Sequence, residues 1–205
     1  MAKLSYSYYQ NIDVNAVAVD LLGKYLFTSI DGAVTGGIIV ETEAYKGVED
    51  KASHAYAGRF TNRTQTMYEE GGLAYVYLCY GIHHLFNVVT GPKGIPHAVL
   101  IRGLEPVEGL EHMLSRRGMS ILKSNITAGP GALAKAMGID KNLNSADLQG
   151  DLIWVEDRGL GFKNEQIVAC PRVGVAYAED HALLPWRYFV KGNRFVSKPN
   201  NTFEK

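Results

Sequence analysis

The sequence is short of several things that usually announce a function. Only two cysteines, Cys79 and Cys170, occur in 205 residues. They form neither a disulfide framework nor a metal spacing, which points to a reducing compartment. The six histidines show no ligand spacing either, so no metal is expected. No G-x-G-x-x-G and no P-loop is present, and no cofactor is predicted. No apolar run approaches a membrane span, and the first residues lack an apolar stretch of signal-peptide length; a cytoplasmic protein is expected. Net charge is missing too, with 21 Lys+Arg against 21 Asp+Glu. That excludes coating nucleic acid by bulk charge while leaving room for a local basic face. Internal repeats and low-complexity linkers are absent, so residues 1–205 are expected to form one domain.

What is present is a globular composition, 46% hydrophobic and 20% charged, with 12 tyrosines that cluster. The organising stretch is Ile38-Ile39-Val40-Glu41-Thr42-Glu43-Ala44-Tyr45. On a strand, Val40, Thr42 and Ala44 point one way and Ile39, Glu41, Glu43 and Tyr45 the other. Two acids and a ring ending a core-like strand break the local rule, as functional sites do. A solvated edge strand is the plainer alternative.

Around it, Asn11-Ile12-Asp13 reads as a cap ahead of a helix over residues 14–22 closed by Gly23. A strand over 25–30 and the Asp31-Gly32 turn form a hairpin with the acidic strand. Residues 46–66 read as a long functional loop. Strands are expected over 73–80, 85–90 and 97–104, and a helix from Pro106 to about Arg117. Residues 123–131 read as a loop, 132–137 as a short helix, and Ser145 as the cap of one more turn. Closing strands are expected over 152–156, 167–169, 173–177 and 187–191. Strands and helices without regular alternation indicate an α+β fold with a mixed or antiparallel sheet and peripheral helices.

The candidate residues converge. Glu43 at a strand end can act as a general base, His54 follows in the loop, and Tyr75 and Tyr77 share a strand face. Tyr80 precedes Gly81 at a hairpin tip, where core packing poorly explains a large ring. Asn87 and Arg102 are polar side chains inside apolar strands and need partners; Glu43 is a possible partner for Arg102. Enzymes acting on a base extrude it from the stack, and these residues supply a filler, stacking rings and a catalyst. Phosphate contacts are expected from Arg116, Arg117, Lys123, Arg187, Lys191, Arg194 and Lys198. A weaker anion signal is Ala128-Gly129-Pro130-Gly131 ahead of a helix. Two rivals remain: a non-catalytic module stacking bases on tyrosines, and a small-molecule glycosidase using Glu41 and Glu43.

Glu41-Thr42-Glu43-Ala44-Tyr45, Glu49-Asp50, His54, Tyr75-Val76-Tyr77 with Tyr80-Gly81, and Asn87 resemble the alkyladenine (3-methyladenine) DNA glycosylase family. So do Leu100-Ile101-Arg102-Gly103-Leu104-Glu105-Pro106, Ala128-Gly129-Pro130 and Arg172-Val173-Gly174-Val175, in the same order over residues 17–196. The likeness is to a compact bacterial-type member, and positions 83 and 84, both histidine, depart from the pattern. The resemblance implies a curved sheet with a protruding tyrosine-tipped hairpin. It implies Glu43 as the base that activates water, with Arg102 holding the water or Glu43. Tyr45, His54 and Tyr77 would line the base pocket, Asn87 would screen bases, and Tyr80 would intercalate. The partner would be double-stranded DNA carrying damaged purines, with base release by a monomer and no strand cleavage.

Overall fold

Every strand pairing is antiparallel among residues 2–199, which the computed structural model describes. The strands are β1 (Ala2–Lys3), β2 (Tyr25–Ile30), β3 (Ala33–Lys46), β4 (Ala74–Cys79), β5 (His83–Thr90), β6 (His97–Glu108), β7 (Ile153–Asp157), β8 (Ile167–Cys170) and β9 (Arg187–Val190). They form one sheet in the order β1-β7-β2-β3-β6-β5-β4, with β9 joining β3 to β8. Four α-helices surround it: α1 (Tyr6–Tyr9), α2 (Val14–Asp20), α3 (Leu110–Arg117) and α4 (Pro130–Met137). The expected α+β architecture is present, and the sheet is purely antiparallel and curled.

Local chemistry explains several boundaries. The Asp13 carboxylate accepts the amides of Asn15 and Ala16 and starts α2. Pro130 opens α4, and Gly138 closes it with φ 71°. Asp31 and Gly32 take φ 54° and 76°, the two positive values that a tight hairpin requires, and an aspartate adopts them at modest cost.

β3 is central to the sheet. Its first part pairs with β2 and its later part with β9, while β6 follows it from Gly36 to Lys46. Register slips between Ile39 and Glu41 and again between Glu41 and Thr42, so Val40 and Arg102 each occupy a bulge. Bulges bend a strand and re-aim its side chains. Ile39 and Val40 both enter the main core, interrupting the simple alternation expected at that point. Beyond the bulge alternation holds: Thr42 Oγ1 donates to the Ala18 carbonyl of α2, while Glu43 points toward β6 and the cleft. Glu41 and Glu43 are fully buried, so a solvated edge strand is ruled out.

Four expectations need correction. Pro106 lies in β6 opposite Gly37, and the helix begins only at Leu110. There β6 is paired on one side, by β3, with Val107 bulged, the kind of edge and bulge position at which a strand tolerates proline. Residues 173–177 form no strand; Gly174 turns the chain at φ 76° into the 3-10 helix Ala176–Leu183. Ser145 caps nothing and bonds Thr66 Oγ1, whereas Asp140 caps the turn Lys141–Leu143. Arg187 is not a surface phosphate ligand, because it is completely buried.

Candidate active site

The two acids of β3 end in different surroundings. Glu41 Oε1 accepts Arg102 Nε at 2.8 Å, Arg187 Nε at 2.8 Å and Ser197 Oγ at 2.7 Å. Its Oε2 accepts the Ser197 amide at 2.7 Å. Gly103, directly opposite, leaves room for this: a Cβ there would lie 3.1 Å from Oε2 and 2.7 Å from the Phe195 carbonyl. Burial opposes ionisation of Glu41, but Arg102 and Arg187 outweigh it and hold the carboxyl below its usual range. Both oxygens of this carboxylate are bound by buried donors.

Glu43 is less confined. Its Oε2 accepts the Tyr45 hydroxyl at 2.8 Å and its Oε1 the Val173 amide at 2.8 Å, with Arg102 Nη1 at 3.4 Å. Arg102 therefore bridges the two acids, binding Glu41 at 2.8 Å and forming the expected ion pair with Glu43 at 3.4 Å. Burial works against the Arg102 charge, yet Glu43 and Glu41 together raise its pKa and keep it cationic. Burial and then the neighbouring Glu43 raise the Tyr45 phenol well above its usual value, so it stays protonated and donates.

Tyr45, Arg102 and Val173, the three groups around Glu43, all line a cleft of about 650 Å³. Tyr77, Tyr80, His54, His83 and the first turn of α4 line it as well. A small inner pocket of about 40 Å³ adjoins it, walled by Tyr45, His54, Tyr75, Tyr77, Asn87 and Tyr177. The structure thus gathers Tyr45, His54, Tyr77 and Asn87 around one cavity, with Glu43 just beneath its wall. Asn87 is buried and donates to the Tyr75 carbonyl at 3.0 Å.

The His54 ring stands edge-on to Tyr77 at 4.6 Å and to Tyr75 at 6.2 Å. Its Nδ1 meets the Tyr75 hydroxyl at 2.8 Å. Burial first, then Arg63 and Arg59, push the His54 pKa down to about 4. An unfolded histidine titrates near 6.5, so between these values the unfolded chain binds a proton that the native one refuses. The resulting stability is fully present above about 6.5 and is lost as pH falls toward about 4. Urea midpoints measured across that window are expected to fall more steeply for wild type than for His54→Gln. Equal slopes would contradict this.

The hairpin tip carries strain. Tyr80 and Gly81 take φ 50° and 74° while the Ile82 amide bonds the Cys79 carbonyl at 3.1 Å. This is the backbone of Asp31-Gly32 with a tyrosine in the aspartate's place. Tyrosine pays for a left-handed conformation without a local hydrogen bond in return. Tyr80 is also 89% exposed, flanked by exposed Leu78 and Ile82. His83 opens β5 opposite Cys79, and its ring lies against Gly131 of α4. His84 is half-buried opposite Leu78.

The sequence alone assigns no supporting role to several residues that the structure brings to the site. Arg172 spans Asp50 with both terminal nitrogens and donates to the Ala44 carbonyl, with its guanidinium 4.7 Å from the Tyr45 ring centroid. It thereby fixes that ring from behind. Arg187 and Ser197 complete the Glu41 cluster from more than a hundred residues away. Arg63 lies over Tyr77. Of the expected phosphate contacts, Arg116 is engaged with Thr35 and Ala136, and Arg117 with Asn125 and Ile126. Lys123, Lys191, Arg194 and Lys198 are exposed.

A sequence profile described as methylpurine-DNA glycosylase matches residues 7–194, nearly the whole chain. The chain belongs to the methylpurine-DNA glycosylase family. Among curated relatives, a Bacillus cereus (strain G9842) protein is 46% identical over 203 residues, covering 94% of this chain and 97% of the relative. A Clostridium perfringens (strain 13) protein is 44% identical over 198 residues, covering 93% and 97%. One from Clostridium acetobutylicum is 44% identical over 194 residues, covering 90% and 93%. All three are named putative 3-methyladenine DNA glycosylase. In this family member no described helix is long and apolar enough to cross a membrane.

Proposed function

We propose that the protein is a DNA repair glycosylase that releases alkylated or deaminated purines from duplex DNA and leaves an abasic site. The observation that carries the reading is the placement of Glu43. It is a buried carboxylate, held by Tyr45 and the Val173 amide, under an aromatic cleft whose rim bears a strained, exposed tyrosine. The names of the relatives point the same way.

Breaking an N-glycosidic bond builds positive charge on the sugar, and a nearby carboxylate stabilises it. Glu43 takes a proton from water as the water attacks C1′ on the face opposite the leaving base. Arg102 keeps Glu43 and the water in place. The extruded base packs among Tyr45, His54 and Tyr77, whose electron-rich faces favour a cationic alkylpurine. Asn87, held by the Tyr75 carbonyl, narrows the pocket against an exocyclic amino group of normal guanine. Tyr80 fills the gap left in the stack.

No lysine lines the cleft or the inner pocket among the described residues, which favours hydrolysis by water over a Schiff base and supports an enzyme without lyase activity. All the roles come from one chain, so a monomer suffices, acting on chromosomal DNA in the cytoplasm.

A duplex carrying one hypoxanthine or alkylated adenine, incubated with the protein and then treated with alkali, tests the reading. Wild type is expected to create an alkali-labile site and Glu43→Gln is not. If wild type binds damaged duplexes and leaves all of them intact, the chain is a base-stacking binder and the glycosylase reading fails.

The strain at Tyr80 yields a second expectation. Tyr80→Gly should raise folding stability by up to about 1 kcal/mol, since glycine adopts that backbone freely. Excision by the same variant should fall sharply. Parallel melting and excision measurements check this, and a variant that is both less stable and fully active would contradict it.

A further inference from the structure

One charged side chain in the cleft has no part in the chemistry proposed above. Arg63 sits in a compact turn closed by bonds between Thr61 and Thr64 and from Thr64 Oγ1 to the Arg59 carbonyl. Its backbone position is therefore fixed. The guanidinium carbon lies 4.7 Å from the centroid of the Tyr77 ring. Its Nη2 stands 3.4 Å from His54 Nε2. Arg63 lines the cleft together with Tyr45, His54 and Tyr77, but does not line the inner pocket. Among the described residues neither Arg63 nor Arg59 has an ion-pair partner.

Two consequences follow from the chemistry of a guanidinium. It has donors and no acceptor, so the His54 Nε2 facing it must carry a lone pair. His54 is then the neutral tautomer with its proton on Nδ1, donated to the Tyr75 hydroxyl 2.8 Å away. The groups facing His54 are Arg63 and Arg59 from its own loop and Tyr75 and Tyr77 from β4. None is an acid that would restore a proton. Second, the Tyr77 ring already holds one cation. A ring polarised toward a guanidinium attracts a second cation less well, and the uncompensated charge repels a cationic base directly.

We infer that Arg63 is a specificity-determining positioning residue, which sets the His54 tautomer and tempers the pocket's preference for cationic over neutral purines. Because it rests on the glycosylase reading, its test needs one arm that does not depend on activity. A permanently cationic lesion pays for the charge at the rim. A neutral one such as hypoxanthine does not.

The first arm compares single-turnover release of 7-methylguanine and hypoxanthine from otherwise identical duplexes near neutral pH. Removing a unit charge at such a partly solvated site should raise the ratio of cationic to neutral excision about tenfold in Arg63→Met. Arg63→Lys, which keeps the charge, should stay near the wild-type ratio. On mild acidification the Arg63→Met gain should shrink, because His54 then becomes protonated in its place. Equal losses on both substrates, with the ratio unmoved, would mean a merely structural role and overturn the inference. The second arm reads the His54 ring nitrogens by NMR in the free protein. Wild type should show the Nδ1–H tautomer, and Arg63→Met should show Nε2–H population with titration shifted toward neutral pH. An unchanged tautomer and titration would overturn the inference. If wild type releases neither base, the glycosylase reading fails, while the NMR arm still decides whether Arg63 sets His54.

Discussion

Glu43→Gln is expected to slow single-turnover base release by about 10²–10⁴-fold, the range associated with loss of a general base. The substitution keeps the shape of the side chain. Its amide oxygen can still accept the Val173 amide, and the Tyr45 hydroxyl can rotate to accept the new NH₂. Arg102 keeps its direct partner, Glu41. Two buried arginines, Arg102 and Arg187, then share the single carboxylate of Glu41, so stability should fall by about 1–3 kcal/mol while the fold persists. Binding of damaged duplex should persist, since the tyrosine walls and the hairpin are untouched. A variant that unfolds would show that Glu43 holds the fold, and one with wild-type rates would remove it from the chemistry.

Glu41→Ala should do the opposite. It strips the shared partner from Arg102 and Arg187, both buried, and removes the acceptor of the Ser197 amide. Leaving buried charge uncompensated costs about 3–5 kcal/mol, a large part of the 5–15 kcal/mol typical of a folded domain. The urea midpoint should fall accordingly, with activity following the folded fraction. A midpoint close to wild type would mean that the cluster contributes little. Together the two variants test the proposed division between the acids two residues apart on β3, with Glu41 supporting the sheet and Glu43 acting on the substrate.

How far the sequence alone reveals this depends on how local each signal is. Asp31-Gly32, the Asp13 cap and the alternation of the tyrosine strand are decided by neighbours in the chain, and the elements form there. Pro106 illustrates the limit. Its local preference favours a helix start, yet pairing with β3 carries the strand through to Glu108. Residues 173–177 look like a strand because valines alternate at 173 and 175 ahead of Tyr177, but the chain there crosses the site and the Val173 amide binds Glu43. Arg187 reads as surface charge, since nothing nearby in sequence shows that Glu41 awaits it across 146 positions. Glu43, Tyr45 and Asn87 are legible as candidates because each breaks its local pattern, whereas His54 and Tyr77 follow theirs and stand out only in combination and through the family resemblance. Arg63 carries no signal and Arg172 belongs to a family-like motif without a role; three-dimensional proximity to Tyr77, His54 and Tyr45 is what gives them one.

The most direct measurement is the intact mass of the damaged DNA strand after a single turnover, before any alkali and with or without borohydride. Wild type should yield a full-length strand that has lost the modified base and gained hydroxyl in its place, with no trapped protein adduct. Glu43→Gln should return the strand at its starting mass. A borohydride-trapped complex, a strand cut without alkali, or base loss unaffected by Glu43→Gln would contradict an enzyme that uses Glu43 to direct water at the sugar.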